Sequence, residues 1–326
     1  MELYPLTFTP LYRSYLWGGR RLEDVLGKKL GDEPRYAESW EVVDHGADQS
    51  IVRSGPLQGK SLQWLVHTCR EELFGSASGG WDFFPLLLKY LDCNRVLSVQ
   101  VHPDDAYAAT MNPPDQGKTE AWYVVAAEPG SLIYAGLNPG VDRETFASAI
   151  RTGRVPDVLH TLEPQVGDCI FIPAGTVHAL GAGLVVAEIQ QSSDTTFRIF
   201  DWNRVDDAGR PRPLHLAQGL EVTDYERGPI WPSAGIPLCN GGRCLVECDK
   251  FRLEEYSCSH GQTLSQHGFR ILATVRGNGR LQWKGGEMPL RLGDSVLIPA
   301  AIETVELLPT AEGGTVLSMS LPQSSP

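Results

Sequence analysis

Clusters of glycine and proline punctuate this chain about every ten residues, which leaves little room for long helices. Between its 34 glycines and 23 prolines lie short apolar runs: Arg95 to His102, Trp122 to Ala127, Leu132 to Tyr134, Cys169 to Ile172 and Leu184 to Ile189. Short runs of this kind, each closed by turn residues, read as strands, and many of them in series build a sandwich or barrel. The expected fold is therefore mainly β with a few helices. Helical spacing appears in Ser61 to Phe74, where Ser61 is placed to cap the N-terminus and Leu62, Leu65, Val66, Cys69 and Leu73 share a face. Asp142 to Arg151, closed by Gly153, fits a second helix, and Asp104 to Met111 a third.

With 326 residues, 42% of them apolar, the chain can bury more than one small core. The stretch from Tyr225 to Pro237 is dense in Pro and Gly and reads as a linker, so two domains are expected, 1–230 and 231–326. An internal echo supports two related lobes: Gly167-Asp-Cys-Ile-Phe-Ile-Pro-Ala recurs as Gly293-Asp-Ser-Val-Leu-Ile-Pro-Ala. The net charge of −12 sets up a field that repels nucleic acid and anionic membranes. No apolar run is long enough to span a bilayer, and Met1-Glu-Leu-Tyr-Pro lacks the basic and apolar regions of a secretory signal, so a cytoplasmic location is expected. Seven scattered cysteines read as reduced thiols. Cys239, Cys244, Cys248 and Cys258 are near enough in sequence for a structural zinc site, but they lack a CxxC knuckle and sit in strand-like text, so ordinary strand residues are the expectation.

Chemistry concentrates in the first lobe. In Leu97-Ser-Val-Gln-Val-His102 the alternation puts Ser98, Gln100 and His102 on one strand face, with Val99 and Val101 on the other. Lys118, Glu120 and Trp122 likewise share a face. Buried polar groups cost free energy unless partnered, so two polar faces on apolar strands call for a reason. A third piece, Gly167-Asp-Cys-Ile-Phe-Ile-Pro-Ala-Gly-Thr-Val-His178, ends a strand at a Pro-x-Gly turn that aims the following His.

That third piece resembles the second motif of the cupin barrels, which implies a metal-binding His178 and a jelly-roll fold. The first cupin motif is altered, with Gln100 where its first His would stand. The surrounding text narrows the resemblance. Phe84-Pro-Leu-Leu-Leu-Lys89, Leu97-Ser-Val-Gln-Val-His-Pro-Asp-Asp, Gly117-Lys-Thr-Glu, Pro173-Ala-Gly-Thr-Val-His-Ala-Leu and the run from Glu188 to Trp202 are similar to the short bacterial form of type I phosphomannose isomerases. Trp17-Gly-Gly and Glu38-Ser-Trp-Glu add to it. The resemblance implies a catalytic cupin lobe and one Zn2+ per chain held by Gln100, His102, Glu120 and His178. The octapeptide echo adds the expectation of a degenerate cupin-like lobe after it, in which Thr304 falls where the ligand His would be. Spacing alone also admits Fe(II), Mn(II) or Co(II). It further implies a catalytic Arg198, with Lys118 and Asp194 lining the pocket; on a strand, Asp194 and Arg198 would share parity.

The implied activity is interconversion of mannose 6-phosphate and fructose 6-phosphate through an enediol, with a small sugar phosphate as the partner molecule. Lys118, Asp194 and Glu188 are alternatives for the general base. In the absence of a Gly-rich phosphate loop, Lys89 and Arg20 are candidates to hold phosphate, and Trp17, Trp40 and Trp122 to offer an aromatic face to the sugar. The rival readings are a cupin oxygenase with Fe(II) on His102, Glu120 and His178, and a non-catalytic sugar-phosphate sensor. The text around Gln100 weighs against the first, and the presence of every catalytic position against the second.

Overall fold

The short runs pair antiparallel throughout the computed structural model, which describes residues 2–75, 80–205, 208–311 and 313–322. Four larger sheets result. One has five strands, in the order Leu159–Leu162, Ile133–Leu137, His178–Leu180, Val99–Val101 and Phe197–Phe200. A six-stranded sheet faces it, in the order Cys169–Ile172, Glu120–Ala127, Leu184–Gln191, Leu86–Cys93, Glu38–Val42 and Leu11–Arg13. Residues after 235 form a further six-stranded sheet, from Ile236–Pro237 to Ser295–Ile298, and a four-stranded one.

The middle sheet is covered on both faces, and this explains its sequence. Along Leu86–Cys93, Leu86, Leu88 and Tyr90 join a core that includes Leu253, Phe269, Ile271 and Leu317 of the C-terminal sheet. Leu91 and Cys93 point the other way, into a core with Ile133, Ala135 and Leu180. A strand buried on both faces reads as a continuous apolar run rather than an alternating one. A third core, with Tyr256, Leu272, Leu281, Val296, Ile298, Val305 and Val316, lies between the two C-terminal sheets.

The helices depart in part from expectation. Ser61 does cap, its Oγ accepting from Trp64 N–H at 3.1 Å, but the helix breaks into Leu62–Thr68 and Arg70–Phe74 at Cys69, which leaves the helical region at φ −125°, ψ 36°. His67, Thr68 and Cys69 are three weak helix formers in succession. Asp142 caps Arg143–Thr152, and Gly153 closes it in the left-handed region. The third helix is only Asp105–Ala108, behind an Asp104 cap. Ahead lies Asn112-Pro-Pro, and the residue before a proline is driven out of the helical region. The expected Arg95 to His102 strand shrinks to Val99–Val101, and the Leu184 strand extends to Gln191.

A candidate active site and metal centre between two sheets

Two rows of side chains face each other across the first lobe. In the five-stranded sheet, Gln100 is in register with His178 on one side and Arg198 on the other. Residues directly opposite on neighbouring strands project to the same face, so these three share one. In the six-stranded sheet the row is Trp122, Glu188, Lys89 and Trp40. All of these but Trp40 line a cavity of about 240 Å3, whose lining also includes Trp17, Glu38, Ser98, Lys118, Asp194, Thr196 and Arg212.

At the floor, ligand atoms of His102, Glu120 and His178 lie within 4.8 Å of one another, all three residues buried. Each ring is held by its other nitrogen: His102 Nδ1 lies 3.0 Å from Thr195 O and His178 Nδ1 2.8 Å from Thr176 O. A carbonyl can only accept, so both Nδ1 atoms carry the proton and both Nε2 lone pairs turn inward. Glu120, fully buried, faces both rings: Oε1 is 3.4 Å from His178 Nε2 and Oε2 is 3.5 Å from His102 Nε2, and Oε1 has no hydrogen-bond partner. The Gln100 amide reaches the same point, 3.3 Å from His178 Nε2, and its carbonyl and amino ends interchange by a half-turn. Lys118 Nζ stands 2.9 Å from Glu120 Oε2 and 3.3 Å from His102 Nε2, so a cation already rests against these donors. Two inward-facing imidazole nitrogens and a carboxylate with one unpartnered oxygen, joined by one amide, suit a divalent metal ion.

Electrostatics separates the groups around the floor. Burial, reinforced by the Lys118 charge, drives the His102 imidazole down to about 3, and burial lowers His178 too. Burial alone would also lower Lys118, but the carboxylates of Glu120 and Glu188 outweigh it and hold the ammonium above its ordinary range. The Glu120 carboxyl is held well below its range, its burial overcome chiefly by Lys118. Glu188 goes the other way, pushed up to about 7 by burial and the neighbouring Glu120 charge, against the pull of Lys118 and Lys89. Its Oε2 accepts from Trp122 Nε1 at 3.0 Å, and its Oε1 is buried without a hydrogen bond.

Every residue singled out for metal binding or catalysis reaches this region, but not always as parity suggested. Asp194 is not on a strand with Arg198, because that strand begins at Phe197; it sits on the preceding loop, with a 56% exposed side chain, and meets the cavity from its rim. Arg198 is half-buried, with Nη1 donating to Pro213 O at 3.0 Å and a buried Nε that has no partner. Beside it on the lining is Arg212, clamped by Asp201 through bonds of 2.7 and 2.6 Å. Lys89 lies between Glu38, Glu188 and Asp194 at 3.7 to 4.0 Å, above the Trp40 ring. Arg20 lies elsewhere: it is exposed, tied to Glu23 and to the carbonyls of Gly31 and Glu33, and not part of the lining. Trp17 and Trp122 line the cavity, whereas Trp40 is buried beneath Lys89. Glu38 and Arg212 were not anticipated. Glu38 had a legible signal, since it opens the Glu38-Ser-Trp-Glu stretch that resembles the family and proves to be a strand buried throughout; Arg212, on a loop, had none.

Residues 6–126 match the family model described as the catalytic domain of type I phosphomannose isomerase, and residues 243–315 match that of the mannose-6-phosphate isomerase cupin domain. The chain is 34% identical over 317 residues to the mannose-6-phosphate isomerase ManA of Bacillus subtilis, across 96% of this chain and 98% of that protein. It is 34% identical to a mannose-6-phosphate isomerase of Streptococcus mutans, across 92% and 94%. The crystal structure of the mannose 6-phosphate isomerase from Bacillus subtilis superposes with a TM-score of 0.88 at 28% identity, over 97% of this chain and 99% of that one.

Proposed function

This chain belongs to the type I phosphomannose isomerases, and from that premise we propose that the cavity interconverts mannose 6-phosphate and fructose 6-phosphate through an enediol, with one Zn2+ per chain. The observation that carries the reading is the pair of facing rows: a ligand cluster and Arg198 on one sheet, Glu188 and Lys89 on the other. Gln100, His102, Glu120 and His178 would hold the metal. Bound there, the metal supplies a Lewis-acidic charge near the sugar oxygens.

Isomerisation of the open-chain aldose removes the proton at C2. The electron pair left behind forms the C1–C2 double bond, and charge moves onto O1, which takes a proton. Reprotonation at C1 and loss of the O2 proton give the ketose. A base for C2 needs a pKa close to the working pH. Glu188, poised at about 7 and facing the cavity, fits that need better than Lys118, whose ammonium is held charged by two carboxylates. Lys118 is suited instead to donating a hydrogen bond or proton to a sugar oxygen. Arg198 brings a permanent positive charge with an unengaged Nε, suited to the charge that develops on the enediolate. Together with Arg212 it also makes this side of the cavity the one favourable to a phosphate. Asp194, at the rim beside Lys89, is placed to touch the sugar hydroxyls.

We also propose a cytoplasmic enzyme that acts on a small molecule alone; among the described residues no helix is long and apolar enough to cross a membrane. Metal analysis of the purified protein beside a coupled assay with mannose 6-phosphate tests the whole reading. Stoichiometric zinc, turnover and a primary isotope effect with C2-deuterated substrate are expected. Iron with oxygen consumption and no isomerisation would favour the oxygenase reading; binding without turnover would favour the sensor.

A further inference from the structure

A polar cluster behind the ligand row takes no part in the chemistry above. Asp115, on the loop before the Glu120–Ala127 strand, has only 18% of its side chain exposed, and its carboxylate collects four donors. His45 Nε2 at 3.1 Å and Gln116 N at 2.8 Å meet Oδ1; Ser193 Oγ at 3.1 Å and Thr195 Oγ1 at 2.5 Å meet Oδ2. The segment it grips is held elsewhere too, with Ser192 Oγ donating to Asp44 O at 2.9 Å and Gln190 Nε2 to Ser193 O at 2.5 Å. This same segment carries the Thr195 carbonyl that accepts from His102 Nδ1–H, and it presents Asp194 and Thr196 to the cavity.

We propose that Asp115 is a positioning residue for the metal centre: bound to His45, Ser193 and Thr195 at once, its carboxylate sets the depth of residues 192–196, and the Thr195 carbonyl thereby fixes His102 with Nε2 inward. The inference rests on the metal reading and adds a residue that touches neither metal nor substrate. The carboxylate serves because its two oxygens accept from two directions, from a hairpin histidine on one side and from two hydroxyls on the other. The group that accepts a ligand's ring N–H changes metal affinity by roughly 10- to 100-fold, and Asp115 sets where that group, the Thr195 carbonyl, stands.

Two measurements on the full chain test it. In competition with a chromophoric chelator, Asp115→Ala is expected to bind Zn2+ 10- to 100-fold more weakly than the parent. Asp115→Asn should regain most of the loss, since its oxygen still serves His45 and its amino group can donate to the hydroxyls. Thr195→Val should weaken binding by itself and add little in combination with Asp115→Ala, because both cut the same path. Long-range 1H–15N correlation of metal-free protein reads the His102 tautomer directly: Nδ1–H in the parent, a mixture in Asp115→Ala. A folded Asp115→Ala with parental Zn2+ affinity and an unchanged His102 tautomer would overturn the proposal. If Asp115→Ala does not fold, Thr195→Val, nearly isosteric, decides by the same two readouts. A parent chain that takes up no Zn2+ refutes the metal reading, while the tautomer comparison still decides the role of Asp115.

Discussion

His102 and His178 each turn one ring nitrogen to the same point, so His102→Ala or His178→Ala is expected to abolish turnover and release the metal, read by metal analysis and assay together. Gln100→Ala should be milder, because water can replace an amide oxygen. At Arg198 the test is the split between kcat and KM. Arg198→Lys keeps the charge but loses the guanidinium fork; if Arg198 stabilises the enediolate, about 2.7–4 kcal/mol of transition-state stabilisation disappears, roughly a hundredfold or more in kcat. A change confined to KM would reassign Arg198 to phosphate binding, which is gripped alike in ground and transition states. Glu254, in the C-terminal sheet, gives the acid response. Its burial alone would raise the carboxyl, but Arg270 and Arg252, at 2.7 Å each, outweigh it and hold it below its ordinary range. A depressed folded value adds stability that is present above the unfolded value, about 4.3, and lost as pH falls through the folded one. Glu254→Gln should therefore cost roughly 3 kcal/mol at pH 7, chiefly by removing the carboxylate of the buried Arg270 guanidinium, since Arg252 keeps Glu247 at 2.7 Å. Urea midpoints of variant and parent should draw together as pH falls from about 4.3 and converge once it has passed through the depressed folded value.

The repeated octapeptide shows how one element can be built twice and put to different uses. Both copies open on a glycine in the left-handed region, Gly167 at φ 97° and Gly293 at φ 78°. In both, the following Asp closes the turn by accepting from the backbone three residues back, Gln165 N–H at 2.8 Å and Arg291 N–H at 2.9 Å. In both, a strand then ends at a proline whose carbonyl accepts from three residues on. Only the first copy delivers a histidine; the second delivers Thr304, the opening residue of a strand. Their surroundings differ as well. A Cβ at Gly167 would meet nothing closer than 3.8 Å, whereas one at Gly293 would stand 2.2 Å from Leu26 O. Gly167→Ala should thus cost about 1–2 kcal/mol of backbone strain, and Gly293→Ala clearly more, because a backbone carbonyl must move. Thermal midpoints of the two variants, equal within error, would contradict this.

At the scale of the molecule, the C-terminal sheet is the far wall of the core that supports the site. Phe269 packs between Phe74 and Phe84 with ring centroids 5.8 and 4.4 Å away, and Phe84 leads into the strand that carries Lys89. Polar ties cross the same boundary: Lys28 Nζ donates to Gly293 O at 2.6 Å and Ser295 Oγ to Glu41 Oε2 at 2.9 Å, three residues from Glu38 on the cavity wall. Phe269→Ala is expected to cost about 3–5 kcal/mol and, because the core is shared, to lower a single cooperative transition; two separated calorimetric transitions would show that the lobes melt independently.

What the sequence determined by itself was local. Turn spacing dictated strands, the period of two put Ser98 and Gln100 on one face, and Ser61 and Asp142 declared their helix starts. The polar faces that hold His102 and Glu120 were legible for the same reason, whereas their role as ligands with His178 and Gln100 came from the resemblance to the family. Tertiary structure alone decided which strands stand side by side. The rows from His178 to Arg198 and from Trp122 to Trp40, the exclusion of Arg20, the arrival of Arg212 and the loop place of Asp194 all depend on register between distant segments. Thr195 and His102 are 93 residues apart, and Thr195 and Asp115 are 80. No local preference encodes such pairings. Register is selected when both faces of the middle sheet must be buried at once, since a slip of one residue would turn Lys89 and Glu188 into an apolar core and bring Leu88 and Ile189 to the cavity.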